Sequence, residues 1–151
     1  MVCPTCNGTT LGNRPCRLRT CKFAPRCRHH TTVEVKRSNI PNAGMGLFAR
    51  APIKKGEVLV NYTHNNERMT AAQFKKKYPS GKATHVAYVN GAYYDGKDIS
   101  RNVAGAANNA GPRKSGRVNN AYIAKSGNMK ATKSIAKGRE ILTAYGAGFR
   151  L

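Results

Sequence analysis

The sequence predicts a small α+β domain, rich in short strands and poor in helices, with a cysteine-rich segment ahead of it. Three observations lead there. Short apolar runs recur between clusters of Gly, Asn, Pro and Ser, the signature of short strands joined by turns. A single stretch, residues 70–78, has the caps and side-chain spacing of a clear helix. All five cysteines fall within the first 27 residues, where almost no aliphatic side chain is available to bury.

Composition bounds the answer. A chain of 151 residues with 40% hydrophobic content fits one domain of modest core plus a short appendage. Its 27 Lys and Arg against 6 acidic residues give a formal net charge of +21. Soluble domains usually carry only about 2 to 8, so a solubility surface is a weak explanation, and the excess favours nucleic acid or another polyanion. No apolar run approaches the roughly 20 residues that span a bilayer. The start, MVCPTCNGTT, lacks the apolar core of a secretory signal. The expectation is a reducing intracellular space and no membrane partner.

In that compartment an odd number of cysteines with a leading C-x-x-C favours zinc over disulfides. Cys3, Cys6, Cys16 and Cys21 form the simplest complete tetrahedral set. Cys27 with His29 or His30 is the alternative, replacing one pair or sharing a bridging thiolate in a two-metal cluster. Without metal, residues 1–30 should be disordered, because they have almost no aliphatic side chain to bury. The same segment carries Arg14, Arg17, Arg19, Lys22, Arg26 and Arg28 and no acid in its first 30 residues, a basic face suited to phosphates. The division expected is residues 1–32 as this segment and 33–151 as the main domain, with Cys3→Ser and Cys6→Ser releasing metal without melting residues 33–149.

Along the main domain, residues 33–36 (VEVK) alternate as a strand, residues 37–46 read as a loop, and residues 47–49 begin a second strand. A turn at 51–57 leads into the strand 58–62 (VLVNY). In the helix 70–78 (TAAQFKKKY), Thr70 is the N-cap, Phe74 and Tyr78 lie one turn apart, and lysines fill the last turn, where the helix dipole favours them. Residues 85–89 and 92–95 flank Asn90-Gly91, the strongest short hairpin signal. A second hairpin joins 122–124 to 129–132, and the last strand runs over 140–144.

Residues 101–123, RNVAGAANNAGPRKSGRVNNAYI, fit neither strand nor helix period, apart from a short helix at 101–107. Two Asn-Asn pairs, at 108–109 and 119–120, stand in a run of small residues. Buried amides need several partners each, so these pairs mark either a solvated loop or backbone brought close to something polar.

Three motifs in order, NAGMGLFA at 42–49, NVAGAANNA at 102–110 and GREILTAYG at 138–146, resemble those of the SET-domain lysine methyltransferases. The resemblance covers about residues 33–149 and implies a SET fold of short strands and small sheets, preceded here by a zinc-binding Cys-rich segment. It implies S-adenosylmethionine as cofactor, with Gly44, Met45 and Gly46 laying backbone against it and Asn108 and Asn109 completing its site. Asn109 stands where histidine is usual, Ala110 where serine is usual, and Gly105 and Ala106 where arginine and phenylalanine are common. Tyr145 matches the catalytic tyrosine of the family. Tyr62 is the second catalytic candidate, as a channel wall together with Phe149.

The chemistry implied is methyl transfer to a lysine amine, with zinc in a structural role. The partners expected are a lysine-containing protein, a histone first, and nucleic acid on the basic surface. The place of action is the nucleus or, given the likeness in length to compact SET proteins of large DNA viruses, a host nucleus or virion. A reading from a different class stays open: a catalytically weak SET-like fold kept as a basic nucleic-acid-binding or virion-packaged protein.

Overall fold

Where the sequence predicted short strands, the computed structural model has ten, and it describes residues 5–19, 22–111 and 115–144. They are β1 (Val33–Arg37), β2 (Met45–Ala49), β3 (Val58–Asn61), β4 (Glu67–Met69), β5 (Val86–Val89), β6 (Ala92–Asp95), β7 (Ala121–Ile123), β8 (Asn128–Ala131), β9 (Glu140–Ile141) and β10 (Thr143–Ala144). The helix α1 (Ala71–Lys77) and a 3-10 turn, Val103–Ala106, complete the set. Three small sheets result, in the orders β1-β2-β9, β10-β7-β8-β3 and β4-β6-β5.

The helix forms for the reasons its sequence gives. The Thr70 hydroxyl accepts from the Gln73 amide at 3.2 Å while the Gln73 side chain accepts from the Thr70 amide at 2.8 Å, a reciprocal capping box. Phe74 stacks on Tyr93 of β6 with ring centroids 4.2 Å apart, so the helix covers the third sheet and keeps its lysines in water. The strand β4 is absent from the sequence reading: its three residues sit in the polar run HNNERM, too short to show a period. The helix expected at 101–107 is a tighter 3-10 turn, capped by Asn102, whose side chain accepts from the Ala104 amide. A Cβ on Gly105 would run into the Gly96 carbonyl. The Gly96 backbone therefore occupies the space that a larger residue at 105 would need.

The core is built from Val33, Leu47, Ile53, Leu59, Val60, Tyr62, Val103, Met129 and Ile141, each with 2% or less of its surface exposed. The last strand pass joins the first two sheets. Glu140–Ile141 pairs antiparallel with β2, and Thr143–Ala144 pairs parallel with β7. Leu142 between them bridges Asn108 in parallel.

The cysteine-rich segment is joined to this core through main-chain hydrogen bonds. The amides of Asn61 and Val103 donate to the carbonyls of Ala24 and Lys22, at 2.6 and 3.0 Å. Phe23 packs against the core cluster and Ala24 is fully buried. Arg26 pairs with Glu57 at 3.7 Å.

Candidate functional site

Three sequence-distant motifs meet at one carboxylate. Glu140, 8% exposed, accepts from the Ser38 hydroxyl at 2.6 Å, the Asn39 amide at 3.0 Å and the Asn108 side-chain amide at 3.3 Å. The Asn108 amide also donates to the Met45 carbonyl at 3.0 Å. A Cβ on Gly46 would lie 2.5 Å from Glu140 Oε1, so glycine is required there because the carboxylate already fills the space. Gly44, at φ +74°, serves the turn itself.

The remaining asparagines hold the last strand pass. The Asn120 side chain accepts from the Leu142 amide at 2.8 Å and donates to the Glu140 carbonyl at 3.0 Å. One amide thus pairs with the strand as a neighbouring peptide would. Asn109 donates to the Thr143 carbonyl at 3.2 Å and accepts from the Gly111 amide at 2.8 Å. Asn119 accepts from the Ala110 amide at 2.8 Å. The polar object that the two Asn-Asn pairs approach is therefore largely the 140–143 backbone.

A cavity of about 490 Å³ opens beside this hub, lined by Arg37, Ser38, Asn39, Ile40, Pro41, Asn42 and Gly44. Its lining offers a cation, a hydroxyl, side-chain amides and two apolar side chains, a mixture that suits a polar ligand with an apolar part. Gly44, Met45, Gly46 and Asn108 are brought together at its edge, with Asn109 next in the chain. Tyr62 is fully buried in the core, its hydroxyl donating to the His85 carbonyl at 2.5 Å. Tyr145 and Phe149 lie outside the described residues. Sequence reasoning missed Ser38 and Asn39, since a Ser-Asn pair in a loop signals nothing until its partner is known.

A second polar cluster sits in the cysteine-rich segment. Cys6 Sγ and Cys27 Sγ each lie 3.4 Å from His30 Nδ1, and Cys16 Sγ lies 3.9 Å from Cys27 Sγ. The four donor atoms all lie within 4.8 Å of one another. Tetrahedral zinc with Zn–S bonds of about 2.3 Å requires S···S separations near 3.8 Å, so this set fits the ion. Cys6 and Cys16 of the simplest set are thus joined by Cys27 and His30, the replacement pair the spacing left open. Cys3 and Cys21 lie outside the described residues. His29 points elsewhere, its Nε2 accepting from Arg28 Nε at 3.3 Å.

The thiol chemistry agrees. Burial pushes the Cys27 thiol up, but the His29 and His30 amides, the His30 ring and Cys6 outweigh it and pull it down to about 6, favouring the metal-binding thiolate. At Cys16 the Leu18 amide pulls down, yet burial and the neighbouring Cys6 and Cys27 sulfurs hold the thiol above its ordinary value. A cation shared among the sulfurs relieves such crowding.

Comparison with known proteins places this geometry. Residues 44–146 match the SET domain as a family. No curated protein matches the chain. Among solved structures, the fold is similar to Chaetomium thermophilum Polycomb Repressive Complex 2 in an autoinhibited conformation bound to S-adenosylmethionine, with a TM-score of 0.60 and 20% identity over 79% of this chain. It is similar to the same fungal complex bound to the compound GSK126, with a TM-score of 0.59 and 21% identity over 79% of this chain. It is similar too to an active polycomb repressive complex 2 in the basal state, with a TM-score of 0.56 and 20% identity over 76% of this chain. The match spans only 16%, 16% and 15% of those chains. The family match takes in the turn at 44–46, the clamp at 108–109 and the Glu140 hub that joins them, and the chain belongs to the SET-domain family.

Proposed function

We propose that the chain transfers a methyl group from S-adenosylmethionine to a lysine amine of a DNA-bound protein, with a histone as the leading substrate class and the nucleus as its place of action. The observation that carries this is the convergence of the motifs at 44–46, 108 and 140 on the Glu140 carboxylate. That hub fixes the wall of the adjacent cavity, as a site that must hold a cofactor in one pose requires.

Gly44, Met45, Gly46, Asn108 and Asn109 form the cofactor edge. When bound, S-adenosylmethionine supplies an electrophilic methyl on a sulfonium, which the lysine nitrogen attacks as sulfur leaves as a neutral thioether. The chain must deliver that nitrogen unprotonated. At an ordinary lysine pKa near 10.4 this costs about 4 kcal/mol at pH 7.4. Desolvation of the ammonium in a narrow channel beside a like charge lowers the cost, and the proton leaves to solvent before attack. Tyr145 orients the amine through its hydroxyl, and Tyr62, buried with its hydroxyl on the His85 carbonyl, is the second candidate, as a channel wall. Zinc held by Cys6, Cys16, Cys27 and His30 serves structure.

Transfer of labelled methyl to histones and to nucleosomes tests the reading. Tyr145→Phe should lower turnover at least about tenfold, roughly 1.4 kcal/mol of barrier, with the fold intact. No saturable S-adenosylmethionine binding by the zinc-loaded chain would overturn the reading in favour of a purely nucleic-acid-binding SET fold.

A further inference from the structure

The molecule separates its charges. Of its six acids, Glu67, Asp95 and Asp98 line one cavity with Lys77, Lys97 and Arg101. Glu34 pairs with Lys36 at 3.1 Å, Glu57 with Arg26 at 3.7 Å, and Glu140 is buried in the polar hub. None of the six falls within residues 50–56 or 132–139.

Those two segments lie side by side. Ile53 and Ile135 exchange main-chain hydrogen bonds of 2.9 Å in both directions, the Gly138 amide donates to the Ala49 carbonyl, and the Ala49 amide donates to the Arg139 carbonyl. Ile53 and Ile135, at 2% and 4% exposure, anchor both segments in the core. The paired segments display Arg50, Lys54, Lys55, Lys133, Lys137 and Arg139, all exposed. Arg50 donates to the carbonyls of Arg28 and His29, at 3.0 and 3.2 Å. That contact leaves its charge uncompensated and brings the exposed Arg28 to the same edge. Among the described residues none of these seven cations is in an ion pair.

We propose that duplex DNA binds across this composite face, formed by residues 50–56 and 132–139 with Arg28 at its rim, and that the first thirty residues are only one side of the footprint. Six cations on anchored segments and Arg28 at their rim, none in an ion pair among the described residues, attract phosphates and release their counterions. Neither segment holds an aromatic ring on which unpaired bases would stack, so the ligand is the intact duplex, held by its backbone without sequence preference. The proposal rests on the reading of a DNA-bound substrate, and its test does not depend on methyl transfer.

Two variants of equal charge change decide it. The face variant carries Lys54→Gln, Lys55→Gln, Lys133→Gln and Lys137→Gln. The control carries Lys75→Gln, Lys76→Gln, Lys82→Gln and Lys125→Gln, four exposed lysines on α1, the loop after it and the β7–β8 turn. Affinity for a random-sequence DNA duplex is measured against salt, with thermal unfolding and S-adenosylmethionine binding as checks on the fold. The face variant should lose at least about tenfold in affinity at low salt, and the slope of log K against log salt should shrink by about 2 to 4. The control should lose less than about threefold in the same titration. Equal loss in both variants would assign binding to the diffuse field of the whole protein and overturn the face, as would unchanged binding by a folded face variant. Failure of S-adenosylmethionine binding in the unaltered chain would strike the methyl-transfer reading alone.

Discussion

The two buried polar clusters of this protein solve the same problem in opposite ways. Around Glu140 an acceptor meets donors: a hydroxyl, a main-chain amide and a side-chain amide converge on one carboxylate, and the protein satisfies it unaided. In the cysteine-rich segment three sulfurs and an imidazole nitrogen face one another, electron-pair donors all, and their mutual attraction requires a cation. The first cluster belongs to the fold of the chain alone. The second is a donor set that could hold a metal ion, and a bound ion would tie that part of the fold to it.

The largest expected effect breaks that second cluster. Removing metal by chelation, or by Cys16→Ser with Cys27→Ser, should unfold residues 5–31. The effect should then travel, because the Ala24 and Lys22 carbonyls are the acceptors for Asn61 and Val103. Hydrogen exchange at Asn61, Tyr62 and Val103 should accelerate, and the chain should lose several kcal/mol, given that zinc binding to such segments is worth about 10 to 16 kcal/mol. Metal analysis with exchange mass spectrometry checks it. Unchanged protection at Asn61 and Val103 after metal loss would show the separability that the boundary at 32/33 assumes.

Breaking the first cluster should cost less and stay local. Glu140→Ala removes the acceptor for the Ser38, Asn39 and Asn108 donors and should cost about 3 kcal/mol, since hydrogen bonds to charged groups are worth about 1.5 to 3 each and buried orphans add to that. Glu140→Gln keeps an oxygen in place and should cost about half as much. Both should weaken S-adenosylmethionine binding while zinc content stays constant. Chemical denaturation and calorimetric cofactor titration read the two effects separately, and zinc loss in either variant would show the clusters to be one unit.

What the sequence made legible follows the range of the forces involved. Helix α1 was readable from Thr70 and Gln73 because capping is decided within four residues, and the Asn90-Gly91 hairpin because turn geometry is local. The motifs at 44–46 and 138–146 were readable through resemblance. The join between them was not, since Ser38 and Glu140 are 102 positions apart and neither carries a period or a spacing that names the other. The same limit applies to the metal cluster. Spacing put Cys6 and Cys16 in the simplest set and left Cys27 with His30 open; that these four meet among the described residues depends on the fold drawing His30 to Cys6 across 24 positions. The docking of Phe23–Ala24 into the core was illegible for a further reason: two small stretches of apolar surface in a basic segment look like nothing until the core they enter is formed.

A third polar cluster, with a buried carboxylate and a lysine half in solvent, tests whether burial of every member is what gives the other two their weight. Lys77 lies 2.6 Å from Glu67 and 2.8 Å from Asp95, and the Tyr78 hydroxyl donates to Asp95 at 2.6 Å. Burial pushes the Asp95 carboxyl up, but the Lys77 and Tyr78 hydrogen bonds and the Lys97 amide outweigh it and hold the group below its ordinary value. A depressed carboxyl contributes stability that is present above its unfolded value, near 3.9, and is lost as pH falls through the folded one. Lys77 is raised by Asp95 first and Glu67 next, so its contribution is complete below its unfolded value near 10.4 and is lost only on the alkaline side. Tyr78 is pushed up to about 12 by burial and then by Asp95, and its contribution likewise fades only as pH rises. Between about pH 4 and 10 the cluster is therefore at full strength. Lys77→Met should leave burial as the dominant influence on Asp95 and move the acid limb of the stability curve to higher pH. The cost at neutral pH should be about 1 to 2 kcal/mol: water screens the Lys77 side chain, which is 42% exposed, but Asp95, at 3%, keeps only its Tyr78 and Lys97 donors. Thermal unfolding from pH 2 to 8 measures both quantities. An acid limb that does not move, or a neutral-pH loss as large as that of Glu140→Ala, would mean that this pairing matters for its geometry and that burial is not the deciding variable.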